Sequence, residues 1–113
     1  MRIWDIPIEN LCRKHLLAEH RELHAIWIII AHGKKGYSRH PEVLRWRGKL
    51  EALWLRHESQ KREMLRRGYA HRSPLALRPV ARMHSGKVQV TLIESIEVQR
   101  RKLRDKACEC VCW

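Results

Sequence analysis

Apolar and polar positions follow two different rhythms along the chain. "MRIWDIPIE" at residues 1–9 alternates weakly and contains Pro7, which predicts an extended N-terminal arm. Downstream, at about 100° per residue, Leu16, Leu23, Ile26, Trp27 and Ile30 fall on one helical face. A first helix is therefore predicted from about Leu11 to Ala31, with Asn10 as its cap. "HGKKGYSRHPE" holds two glycines and a proline and reads as a loop. A second helix is predicted from Pro41 or Glu42 to about Arg67, with Gly68 as its C-cap. Its apolar positions are Leu50, Leu53, Trp54, Met64 and Leu65. "YAHRSPLALRPVARMHSGK" reads as a further loop. "VQVTL" has the alternation of a short strand, yet Leu92, Ile96, Leu103 and Ala107 favour a third helix from about Thr91 to Ala107. The expected fold class is all-α, a single compact domain of about three helices with an extended arm and irregular loops. Residues 107–113 are expected to form a mobile Cys-rich tail, and no internal repeat is present.

Composition narrows the function classes. The length of 113 residues suits one domain, and 44% hydrophobic residues suffice for a modest core in which five Trp replace the absent Phe. Lys and Arg number 24 against 12 Asp and Glu, a net charge of +12. With a pI near 10.3, the expected partner is a polyanion. Nucleic acid comes first, a ribosomal or anionic-membrane surface next. The best apolar run, Ile26 to Ala31, is far short of the ~20 residues that span a bilayer. The beginning lacks the features of a signal peptide. A soluble cytoplasmic protein is expected, with its four cysteines as free thiols in a reducing compartment.

The first helix carries an unusual density of ionisable groups in "KHLLAEHREL" (residues 14–23). Lys14 and Arg21 share one side; His15 and Glu22 share another, ~10 Å apart along the axis. Between these rows lie Ala18, Ala25 and Ile29, a strip narrow enough for another backbone to approach. That backbone is either a phosphodiester or the chain's own arm; the alternative is an ordinary solvated face. Glu19 and His20 fall beside apolar residues, where a buried polar pair is expected. His20 and His24 have the i,i+4 spacing of metal ligands, but "EHREL" is not the HExxH pattern and no third ligand is evident, so no metal is assigned. Cys108, Cys110 and Cys112 either bind metal or form a frayed, thiol-bearing tail.

Two ungapped blocks and a looser third resemble the phage-type pyrimidine-dimer DNA glycosylase/AP lyase family. The first is "MRI" with "KHLLAEHREL"; the second is "KLEALWLRHESQKREMLRRGY" (Lys49 to Tyr69); the third is "LRDK" (Leu103 to Lys106). "GYSRHPEVLRW" is similar to a loop of bacterial members. About 60 residues are covered. The resemblance aligns Met1 with the family's nucleophile, the α-amine of the first residue, and Arg2 is large enough to disfavour removal of Met1. Glu22 resembles the catalytic Glu. Arg2, Lys14, His15 and Arg21 match positions of polar or phosphate contact, and Lys102 and Lys106 are candidate phosphate ligands from the third helix.

The implied chemistry is physically apt. An α-amine titrates at ~7.7–8.0 against ~10.4 for Lys, so a useful fraction is neutral near pH 7. Surrounding positive charge enlarges that fraction. The neutral amine attacks C1′ of the damaged nucleotide, expels the base and forms a Schiff base, after which β-elimination cuts the strand. No organic cofactor or metal is required. The implied partner is damaged double-stranded DNA, and a monomer is expected, associated with the nucleoid of a prokaryote or a virus. The alternative is a non-catalytic basic DNA- or RNA-binding protein. Two departures bear on lesion choice: Ala25 stands where the phage member has Arg, and "CECVCW" replaces an aromatic-rich tail.

Overall fold

The predicted arm is part of the core. In a computed structural model describing residues 2–70, 88–106 and 110, the backbone from Arg2 to Pro7 carries no helix and the side chains of Ile3, Trp4 and Ile6 are buried. Complete burial of such side chains contributes on the order of 1.5–3 kcal/mol each, an upper estimate because the unfolded chain already hides some surface. Met1 lies outside the described residues, as do positions 71–87, 107–109 and 111–113.

A 3-10 turn at Ile8–Asn10 leads into α1 (Arg13–Ala31), followed by α2 (Pro41–Trp46), α3 (Leu50–Arg66) and α4 (Ile96–Arg104). No strand occurs among the described residues. α1 packs on α2 and α3, and the 3-10 turn packs on α3. No helix among the described residues is long and apolar enough to cross a membrane. Leu16, Leu23, Ile26 and Trp27 are buried as the periodicity predicts.

Three boundaries differ from expectation. α1 begins at Arg13 with Cys12 as N-cap, because Asn10 is consumed by the 3-10 turn. The expected second helix is two helices. Arg47 takes an extended backbone and Gly48 a φ of +74°, a left-handed conformation that glycine adopts at little cost. α4 starts five residues later than expected, because Ser95 Oγ accepts the Val98 N–H at 3.2 Å and caps the helix there. Leu65, counted among the apolar positions, is exposed.

The apolar residues fall into two groups that define the direction of the arm. Ile3 packs with Leu23, Ile26 and Trp27 of the later half of α1 and with Val43, Trp46 and Leu53. Trp4, Ile6, Ile8 and Leu11 pack with Leu16 of the early half and with Met64 and Leu103. The arm therefore runs antiparallel to α1, and its outer end is directed toward the middle of that helix.

Candidate active site

The arm's backbone is held by side chains where a neighbouring strand would otherwise hold it. Ile3 N–H donates to Glu42 Oε1 at 3.3 Å, and Arg45 Nη2 donates to the Ile3 carbonyl at 2.9 Å. Trp4 N–H donates to Glu19 Oε1 at 2.7 Å. Arg56 Nη2 donates to the carbonyls of Trp4 at 2.6 Å and Ile6 at 3.1 Å. Asp5 N–H donates to Gln99 Oε1 at 2.8 Å, and Gln99 Nε2 returns a bond to Asp5 Oδ2 at 3.0 Å. All four α-helices contribute a clamp: Glu19 from α1, Glu42 and Arg45 from α2, Arg56 from α3 and Gln99 from α4.

The charged clamps, Glu19, Glu42, Arg45 and Arg56, are buried or partly buried, and each is paired. Arg56 meets both oxygens of Glu19, through Nε to Oε2 and Nη2 to Oε1, each at 3.0 Å. Gln60 Nε2 also donates to Glu19 Oε2. Arg45 donates to Glu42 Oε1 at 2.8 Å and to Asp5 Oδ1 at 3.0 Å, and Trp46 Nε1 adds a bond to Glu42 at 3.1 Å. Pairing and multiple hydrogen bonds make this burial tolerable.

Of the candidate residues from the sequence, Arg2 and His15 lie against Trp4 of this arm. Glu22 is half-buried on α1, one turn beyond Glu19. Arg21 and Lys14 are exposed on the same helix. Arg2 lies over the Trp4 ring, 4.5 Å from its centroid, and pairs with Glu94 at 2.6 Å. Lys102 pairs with the other oxygen of Glu94, so two of the proposed phosphate ligands share one carboxylate. Lys102, first, and Arg2 hold the Glu94 carboxyl below its ordinary range. Lys106 is exposed just beyond α4. His15 points inward, with its ring edge-on to Trp4 at 6.1 Å. Burial first, then the charges of Lys106 and Lys14, push its pKa down, which keeps the imidazole neutral. Met1, the proposed nucleophile, is outside the described residues.

The expected Glu19–His20 pair is bridged by Gln60. Gln60 Nε2 serves Glu19, and Gln60 Oε1 lies 2.8 Å from His20 Nδ1. A third histidine joins His20 and His24: one ring nitrogen from each of His20, His24 and His57 lies within 4.8 Å of the others. His20 Nε2 and His24 Nε2 are 3.1 Å apart. Burial, the largest effect on His20, lowers its pKa against the opposing pull of Gln60 and Glu19. Three imidazoles at this spacing could hold a divalent cation. His57 escaped the sequence reading because it lies on α3, with no local pattern tying it to α1.

A cavity of about 680 Å³ runs along Ile3 to Pro7 and is walled by Trp46, Leu55, Arg56, Val88 and Leu92 among others. Glu22 is not among its walls, so it is not the site the sequence pointed to.

What the clamps achieve is to fix the backbone of residues 3–6 against the helices. No curated protein and no solved structure matches the chain. The family model for pyrimidine dimer DNA glycosylases matches residues 1–77, which include the arm and α1 to α3, and the chain belongs to that family.

Proposed function

We propose that the protein removes a damaged base from double-stranded DNA and then cuts the strand, using the Met1 α-amine as nucleophile. The observation that carries this reading is the clamped, antiparallel arm. Trp4 is tied to Glu19, and Ile3 packs against Leu23 and Ile26, so the chain climbs α1 as it approaches its start. Glu22 lies ~4.5 Å up the axis from Glu19. Three residues of extended chain reach ~10 Å, enough for the amine to come alongside that carboxylate.

The neutral amine attacks C1′, and the C1′–N bond to the base breaks; the attacking nitrogen gives up a proton as the base leaves protonated. The C1′–O4′ bond then opens, O4′ takes a proton, and the nitrogen lone pair forms the C1′=N bond. The resulting iminium acidifies C2′–H. Loss of that proton drives β-elimination, and the C3′–O bond breaks with the phosphate as leaving group. Glu22 stabilises the cationic intermediate and shuttles the proton. Lys14, Arg21, Lys102 and Lys106 take phosphates, Arg2 lies beside the nucleophile, and the inward-turned His15 supports Trp4 behind that wall. Base loss requires the nucleotide to leave the stack, which costs least at a distorted site. The protein acts as a monomer at the nucleoid of a prokaryote or a virus, and the chemistry needs no cofactor.

The reading is tested on abasic and UV-irradiated duplexes with the native amino terminus, with that terminus blocked, and with Glu22→Gln. Strand cutting should disappear in both altered forms while binding persists. Unchanged cutting with the blocked terminus would refute it. The second reading, a non-catalytic basic binder, is favoured only by the net charge of +12 and requires that the native protein cut nothing.

A further inference from the structure

A second cluster lies at the start of α1, built from residues at opposite ends of the chain. Cys12 is the helix N-cap and His15 sits on the first turn. Cys110 comes to them across 98 positions, with its Sγ 3.1 Å from the Cys12 backbone N–H and 3.1 Å from His15 Nδ1. Cys12 Sγ lies 3.3 Å from the same nitrogen. The two sulfurs and the ring nitrogen are all within 4.8 Å of one another.

Three donor atoms of the kinds that bind zinc converge here. An imidazole nitrogen carries either one proton or one lone pair. It serves one neighbour well, yet here it faces two sulfurs at almost equal distance. A shared cation satisfies all three atoms at once. The surroundings favour the ligand forms: the N–H of Cys12 points at the Cys110 sulfur at the positive end of α1, which stabilises a thiolate. The chain also carries +12 net charge, and two thiolates cancel the charge of a divalent ion.

We propose that Cys12, His15 and Cys110 bind a zinc ion that fastens the end of the chain to the start of α1. Two thiolates and an imidazole are a zinc donor set. Zinc bonds of ~2.3 Å to sulfur and ~2.0–2.1 Å to nitrogen put tetrahedral S and N ligands ~3.6 Å apart, so the ion requires the contacts to open by a few tenths of an ångström. One tetrahedral corner is left for water or one more donor. Binding displaces two thiol protons to solvent and leaves the metal–dithiolate unit neutral. The ion stiffens the turn on which His15 supports Trp4, and it takes no part in the attack at C1′.

The test is metal analysis of the full-length protein purified under reducing conditions, followed by cobalt substitution. The expected results are about one zinc per chain and thiolate-to-cobalt charge-transfer absorption. Cys12→Ser and His15→Ala should each reduce zinc content at least several-fold. Both are distant in sequence from the C-terminal cysteines and leave those thiols intact, so a metal held by those thiols alone would survive both changes and overturn the proposal. So would a cobalt spectrum without thiolate bands, which places the ion among histidines. A metal-free protein lacking two titratable thiols would also overturn it, because it would contain a disulfide. The wild-type cobalt spectrum and thiol count decide the matter even where a variant fails to fold. None of these readouts depends on DNA cutting.

Discussion

Glu19 Oε1 accepts the backbone N–H of Trp4 at 2.7 Å, and this bond sets the arm's position along α1. The same carboxylate is met on both oxygens by Arg56 and again by Gln60. Glu19→Ala leaves the Arg56 charge uncompensated and partly buried, and a loss of about 3–5 kcal/mol is expected. Glu19→Gln keeps the shape and should cost about 1–3 kcal/mol. Denaturant unfolding measures both. In Glu19→Gln that remains folded, amide exchange at Trp4 should accelerate and strand cutting should fall more than the folded fraction does. Unchanged exchange would show that Glu19 does not hold the arm.

Glu94 holds Arg2 and Lys102 together and so competes with DNA for both. Glu94→Gln is expected to tighten binding to duplex several-fold. It should also steepen the fall of affinity with salt, by up to about one unit of log–log slope for each additional phosphate neutralised. Titrations at a series of salt concentrations check this. Weaker binding would mean that Glu94 orders the two cations for DNA.

Acid should lower stability over two pH windows. Burial depresses the pKa of His20 first of all, with smaller opposing effects from Gln60 and Glu19, and burial likewise depresses His15. A depressed histidine is neutral in the fold while its unfolded counterpart takes up a proton. Its stability is therefore complete above about pH 6.5 and declines below it. Glu63 is lowered to about 2, chiefly by its hydrogen bond to Arg66 and also by Arg67. Its contribution is present above about pH 4.5 and is lost as pH falls toward 2. Thermal melts across this range should show both slopes, and Glu63→Gln should flatten only the lower one.

Gly48 separates α2 from α3 at a φ of +74°, and an added Cβ there would meet no atom within 4 Å. The cost of Gly48→Ala is therefore one of backbone conformation alone, about 1–2 kcal/mol. Gly48→Asn should cost less, because Asn tolerates the left-handed region. Equal destabilisation by both would point to a role other than the turn.

Local pattern revealed the helices and the buried face of α1, because Leu16, Leu23, Ile26 and Trp27 repeat at the helical period. It also marked Glu19 and His20 as misfits on that face. It did not reveal their partners. Arg56, Gln60 and Gln99 come from helices distant in sequence, and a charged or amide side chain on a helix carries no sign of facing inward. The break at Gly48 was hidden because apolar spacing resumes on either side of it. The cap at Ser95 starts α4 five residues later than the apolar spacing from Leu92 onward predicts. His15 matched a wall-lining position by resemblance, while its inward turn depends on Cys110, near the other end of the chain.

The central claim is that the amino end of the chain, brought along α1 by Glu19 and Arg56, attacks the sugar. The most direct measurement is borohydride reduction of the protein on an abasic duplex, followed by digestion and mass spectrometry of the adduct. The expected result is a sugar remnant on the α-amine of the peptide beginning at Met1. An adduct on a lysine side chain, or none from the native protein, would contradict it.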